Sequence, residues 1–158
     1  LTLLAEILGG GSTSVLAEAL QFETRQAVNT AAYYGDTSLD DSTFDLVVMP
    51  APGVTLQQAE DAMDDVIAGF LETGVDPEQL DRIKMQMRAS QIYGQDDVGR
   101  LANRYGRALT QGLTVEDVQA WPDILQAVTA EDIMAAAREV LDRDKAVTGW
   151  LAAPEVTQ

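Results

Sequence analysis

Two runs of short, β-prone residues set the frame into which this chain must fold. They are Ala27-Val28-Asn29-Thr30-Ala31-Ala32-Tyr33-Tyr34 and Thr43-Phe44-Asp45-Leu46-Val47-Val48-Met49. A polar connection, Gly35 to Ser42, joins them, and Pro50-Ala51-Pro52-Gly53 closes the second. Two such runs with a short polar link read as an antiparallel pair. The rest is punctuated by helix signals. Leu1, Leu4, Ile7 and Leu8 share one helical face, and Gly9-Gly10-Gly11 ends it. Ser12, Thr13 or Ser14 can cap a second helix with Val15, Leu16, Ala19 and Leu20 on its apolar stripe.

Beyond Gly53 the signals become regular. Thr55 with Gln58 forms a capping box ahead of an apolar face running through Ala59, Met63, Ile67 and Phe70. Asp76-Pro77-Glu78-Gln79 supplies an N-cap, a first-turn proline and a glutamine to close the box. That helix carries Leu80, Ile83 and Met87 inward, breaks near Gly94 to Asp97, and resumes with Leu101, Tyr105 and Leu109. Thr114 with Asp117 and Thr129 with Asp132 repeat one capping signal, with acids where the helix dipole favours them. Ile133, Ala136, Ala137, Val140 and Leu141 mark the last helix face, and Lys145 to Ala152 reads as a final strand ended by Pro154. The expectation is an α+β fold, an antiparallel sheet with helices packed on one face, as a single domain over residues 1–158.

At this length a chain buries roughly 70% of the surface its unfolded form exposes, enough for a core without staples. Ten Lys+Arg against 26 Asp+Glu give a net charge of −16. Nucleic acid is excluded as a partner, because binding it requires cations on phosphates. The acidic surface reads as a self-repelling, soluble one, or as an electronegative wall for basic peptides. No apolar run approaches the roughly 18 residues of a membrane span. The helical pattern begins uncapped at Leu1, as expected of a piece of a longer parent whose targeting segment lies elsewhere. The compartment, bacterial periplasm or cytoplasm, stays open.

Cysteine and histidine are both absent. Thiolate chemistry is therefore out, and so are the imidazole ligands of zinc hydrolases and the imidazole base of a Ser-His-Asp triad. No catalytic and no metal-ligating residue can be assigned to this chain. A Ser-Lys dyad would need Lys84 or Lys145 as base, but Lys84 sits among acids that keep it charged. Gly9 to Ser14 lacks the lysine of a phosphate loop and reads as a turn between helices. The pairs Asp40-Asp41, Asp64-Asp65 and Asp96-Asp97 lack calcium-loop spacing and read as surface or caps. Trp121 and Trp150 have no basic neighbours and read as packing residues.

Three stretches taken in order resemble the second halves of pitrilysin/insulinase-type zinc peptidases. They are Leu3 to Glu23 with its helix-glycine-helix pattern, Glu72-Thr73-Gly74-Val75-Asp76-Pro77-Glu78-Gln79-Leu80, and Ala127 through Leu141. The resemblance implies the α+β fold of the mitochondrial processing peptidase. There, two similar halves close around a chamber, one holding zinc through His-x-x-Glu-His and a further Glu. The other half lacks the motif and shapes the cavity. Without histidine this chain matches only the second kind, so no cofactor is expected on it and zinc is expected in the other half. The implied partners are a zinc-bearing half in the same parent or in another subunit of a homo- or hetero-oligomer, and a peptide substrate.

That second half often supplies an Arg and a Tyr that position the substrate backbone, in a pattern like L-R-E-x-x-x-L-A-Y. Aligning Leu20 with its first Leu places Gln21 at the Arg position and Val28 at the Tyr position. Gln21 has no charge and Val28 no hydroxyl, so both substrate-binding positions read as degenerate. Arg25 or Tyr33 could serve from a shifted position. Otherwise the domain is a scaffold or interaction module with no substrate role. The upstream strand of the resembled half has no counterpart here.

Overall fold

A computed structural model describes residues 1–152. Helix α1 (Thr2–Gly9) is apolar on nearly every side, and Leu3, Leu4, Ala5, Ile7 and Leu8 are all buried. A helix with no polar face must lie inside, and α1 forms the centre around which the other elements pack. After the glycine turn, Ser14 is buried and its hydroxyl donates to the Gly11 carbonyl at 2.7 Å. The expected second helix is ordinary only at Val15 and Leu16 and then widens into a π-helix over Ala17–Glu23. Both the backbone N–H and the hydroxyl of Thr24 donate to the Ala19 carbonyl, at 3.0 and 2.8 Å, closing the wide turn. Leu16 and Leu20 stay in the core, as their spacing predicted.

Strands β1 (Ala27–Tyr34) and β2 (Phe44–Pro50) pair antiparallel. Thr30, Ala32 and Tyr34 lie opposite Val48, Leu46 and Phe44 on the inner face, which α1 and the helices behind it cover. Asn29, Ala31 and Tyr33 lie opposite Met49, Val47 and Asp45 on the other face. A bulge between Ala27 and Asn29 leaves Val28 unpaired. Gly9 abuts the backbone of β1: a Cβ there would stand 2.5 Å from the Ala31 carbonyl carbon. Only a residue without a side chain permits that approach.

Five helices follow: α2 (Leu56–Thr73), α3 (Pro77–Gly94), α4 (Val98–Thr110), α5 (Val115–Ala127) and α6 (Ala130–Val140). Thr55, Thr114 and Thr129 form the expected capping boxes, and Asp97 caps α4 through the Arg100 N–H at 2.9 Å. Asp76 caps α3 by accepting from the Glu78 N–H. Gln79 does not close that box; its amide donates to the Thr13 carbonyl at 3.0 Å and ties α3 to the glycine turn. Pro122 lies inside α5 and brings no N–H, so the Val118 carbonyl one turn earlier loses its helical donor. Arg104 of α4 donates to that carbonyl at 3.1 Å instead. Phe70, Leu80, Leu125, Ile133, Met134 and Ala137 complete the core around α1.

The final strand expected over Lys145 to Ala152 does not form. Arg143–Lys145 makes one 3-10 turn, and residues 146–151 run on without pairing to any described residue. β-propensity cannot assemble a strand without a neighbouring edge to bond, and a groove separates this segment from β2. Pro154 lies outside the described residues. Among these, the sheet has two strands, and no helix is long and apolar enough to cross a membrane.

Candidate functional site on the sheet surface

Helices back one side of the sheet and leave the other bare. On that bare side Tyr33, Val47 and Met49 are exposed, and Val28 joins the exposed set because the bulge keeps Ala27 buried while turning Val28 out. Large apolar side chains grouped on one face mark an interaction surface more often than chance exposure does. Phe22, on the π-helix leading into β1, is exposed as well. Between them Arg25 turns the chain with a φ of 54°, a left-handed conformation that a non-glycine residue adopts at some cost. The Ala51 N–H donates to the Gln26 carbonyl at 2.9 Å, fastening the start of β1 to the end of β2.

The positions singled out from the sequence fall unequally on this surface. Gln21 is half-buried, and its amide donates to the Thr30 hydroxyl at 2.7 Å, a bond to the inner sheet face. Val28 is 52% exposed and Tyr33 59% exposed. Arg25 is exposed and forms no salt bridge among the described residues. The two lysines are both committed. Lys84 donates to the Gln126 and Val128 carbonyls while Gln126 donates back to the Lys84 carbonyl at 3.1 Å. Lys145 pairs with Asp142 at 3.1 Å. Of the paired acids, Asp97 is a cap and Asp64 meets Arg143 at 3.2 Å. Trp121 packs half-buried against the core, whereas Trp150 is exposed and donates to Glu60.

One polar cluster escaped the sequence reading. Glu60 is buried on α2, where Arg143 pairs with it and the Trp150 indole N–H donates to it at 2.8 Å. Hydrogen bonds from Arg143 first, then from Thr148 and Trp150, hold the Glu60 carboxyl below the usual carboxylate range. Neighbouring Asp64 is pushed the other way by burial, against the pull of Arg143. The signal was available, since Glu60 stands four residues after Leu56 and three before Met63, on the inward face. Among the described residues no group of three His, Cys, Asp or Glu could hold a metal ion. A zinc ion accordingly does not fit this chain's own side chains, which include neither imidazole nor thiolate.

The described residues thus build a helix-backed two-stranded sheet with Val28, Tyr33, Val47 and Met49 exposed on it, in a chain without histidine or cysteine. A family model described as the peptidase M16 inactive domain matches residues 1–87, and the chain belongs to that family. This agrees with the resemblance carried by the three ordered stretches. An uncharacterised zinc protease of Streptomyces coelicolor is 30% identical over 142 residues, which cover 86% of this chain and 29% of that protein. Among solved structures, the inactive peptidase domain of a Bordetella parapertussis protein superposes with a TM-score of 0.85 at 18% identity, covering 99% of this chain and 82% of that one. The peptidase M16 inactive domain from Pseudomonas fluorescens gives 0.78 at 19% identity, covering 90% and 34%. A protease from Helicobacter pylori gives 0.82 at 18%, covering 89% and 33%. The chain thus spans under a third of its Streptomyces relative. The solved structures bear on its α+β fold alone.

Proposed function

We propose that residues 1–158 form one domain, the non-catalytic half of a zinc peptidase, whose bare sheet face walls the chamber in which peptide substrates are enclosed. Zinc is held by a His-x-x-Glu-His half, in the same parent chain or in a partner subunit. The observation that carries this reading is the exposed apolar face of Val28, Tyr33, Val47 and Met49 on a domain of the inactive-peptidase family. Extended peptides offer side chains of every kind, and a flat apolar wall holds them without selecting one. Calorimetry with zinc should give no stoichiometric tight binding to this chain. Hydrolysis of an unstructured peptide should appear only once the zinc-bearing half is supplied. Zinc-dependent cleavage by this chain alone refutes the proposal.

A second reading, a scaffold with no substrate role, is favoured by one observation: the Gln21 amide is bonded to Thr30 and Val28 has no polar group. The double substitution Gln21→Arg with Val28→Tyr, made in the full assembly, separates the two. A gain in kcat/KM of tenfold or more, about 1.4 kcal/mol of transition-state stabilisation, supports a substrate site that has lost its positioning groups. An unchanged rate supports the scaffold.

A further inference from the structure

Positive charge is not spread evenly over this acidic chain. Six of its ten Lys and Arg lie between Arg82 and Arg107, with only Asp96 and Asp97 against them. Six cations against two acids leave that stretch at +4, while the whole chain carries −16. The stretch comprises most of α3 and all but the end of α4, joined by the turn at 95–97. Behind the sheet α1 packs on β1, α3 on α1, α5 on α3 and α4 on α5, so the stretch lies away from the bare sheet face.

On α4, Arg100, Arg104 and Arg107 follow at steps of four and three residues and so share one face. A groove of about 180 Å³ opens where α3 and α4 meet. Arg100, Leu101 and Arg104 line it from α4, and Ser90, Gln91 and Gly94 from α3. Arg100 lies over Gly94, where a Cβ would stand 3.5 Å from its Cδ. The fold leaves these cations available. Arg100 meets Asp97 only at 3.8 Å, beyond hydrogen-bond range, and the Asp97 carboxylate already caps α4. Arg104 gives one nitrogen to the Val118 carbonyl. Arg82, Arg88 and Arg107 enter no ion pair among the described residues. Tyr93 and Val98, on either side of the turn, are 78% and 79% exposed.

We propose that the α3–α4 hairpin is a docking surface for an acidic segment of another polypeptide, with a carboxylate seated between Arg100 and Arg104. The planar guanidinium fork matches a carboxylate through two parallel hydrogen bonds. Tyrosine and arginine carry most of the binding energy at protein interfaces, and both stand open here. The exposed apolar groups at the turn add contacts that a peptide can use and a bare anion cannot. Screening confines each charge to its neighbourhood, since fields between exposed groups decay over about 10 Å at 0.1 M salt. An extended acidic segment therefore meets the local +4, whereas a second folded copy brings its whole −16 against another −16.

Heteronuclear NMR of the isotope-labelled chain titrated with octaglutamate at low salt tests this. Shifts of amide and arginine Nε–H signals should be confined to residues 82–107, and raising salt to about 0.3 M should weaken binding at least about tenfold. R100E should raise the dissociation constant at least about tenfold; Arg100 is exposed, so the fold should hold. R138E makes the same charge change on α6, where Arg138 is exposed and forms no ion pair among the described residues, and should leave binding within about twofold. No shifts, shifts scattered along the whole chain, or equal losses in R100E and R138E overturn the proposal. Inorganic phosphate that produces the same shifts at the same concentration assigns the groove to a free anion and overturns it too. Self-association in sedimentation that R100E abolishes assigns the surface to a second copy, with the same consequence.

Discussion

Replacing Gly9 by alanine tests the packing of α1 on the sheet. In an ordinary helix the substitution is favourable by about 0.8–1.0 kcal/mol. Here the new methyl would stand 2.5 Å from the Ala31 carbonyl carbon and 2.8 Å from the Ala32 Cβ, with the Ala32 nitrogen also in its way. Carbon atoms prefer about 3.5–4.0 Å, so the shortfall is roughly 1 Å. Two of the three obstacles are backbone, and no rotamer change relieves them. Relief requires α1 to move off β1, opening the layer in which Leu4, Ile7 and Leu8 have no exposed surface at all. Overpacking of this kind costs about 1–3 kcal/mol, and the backbone obstacle sets it at or above the upper end, leaving a net loss of about 2 kcal/mol. For a domain of this size that lowers Tm by about 4–8 °C. The control is Gly69→Ala in α2, where a Cβ meets nothing within 4 Å. It should raise Tm by about 1–4 °C through helix propensity alone. Thermal unfolding followed by far-UV circular dichroism reads both, and a Gly9→Ala protein that melts at or above the parent refutes the packing argument.

Thr129→Ala removes the hydroxyl that accepts from the Asp132 N–H and should cost about 0.5–2 kcal/mol in urea unfolding with m unchanged. Lys84→Met strips the Gln126 and Val128 carbonyls of their donor and should destabilise by about 1–3 kcal/mol in urea unfolding. Retained stability would show those contacts to be idle. Glu60 gives a pH dependence of definite sign. Its folded carboxyl lies below the usual range, so its contribution is complete above the unfolded value and is lost as pH falls through the folded one. Trp150 fluorescence should therefore change on the acid side, below the ordinary glutamate range. In E60Q the indole signal should lose that transition.

Much of the helical architecture was legible because its bonds are local. A threonine cap and an acid or glutamine three residues on close within one turn, and Thr55, Thr114 and Thr129 all do so where expected. The strand pair was legible for a related reason, since its polar connection keeps the partners close in sequence. Residues whose partners are distant were misread or missed. Gln79 looked like the end of a capping box and instead bonds Thr13, 66 positions away. Glu60 looked like one acid among many and instead meets Arg143, 83 positions away. Of the surface residues, Tyr33 sits on the bare sheet face and Val28 is exposed at a bulge, while Gln21 bonds inward.

By itself the sequence determined where helices begin, which two runs pair, and that the chain brings no imidazole or thiolate to hold a metal. Those follow from residue chemistry and from hydrogen bonds closed within a few positions. Only the tertiary structure decided that Gly9 is a contact and not merely a stop, and that, among the described residues, 146–151 stay unpaired and one sheet face is left bare. Each depends on what surface or edge arrives from elsewhere in the chain, and no local pattern carries that information.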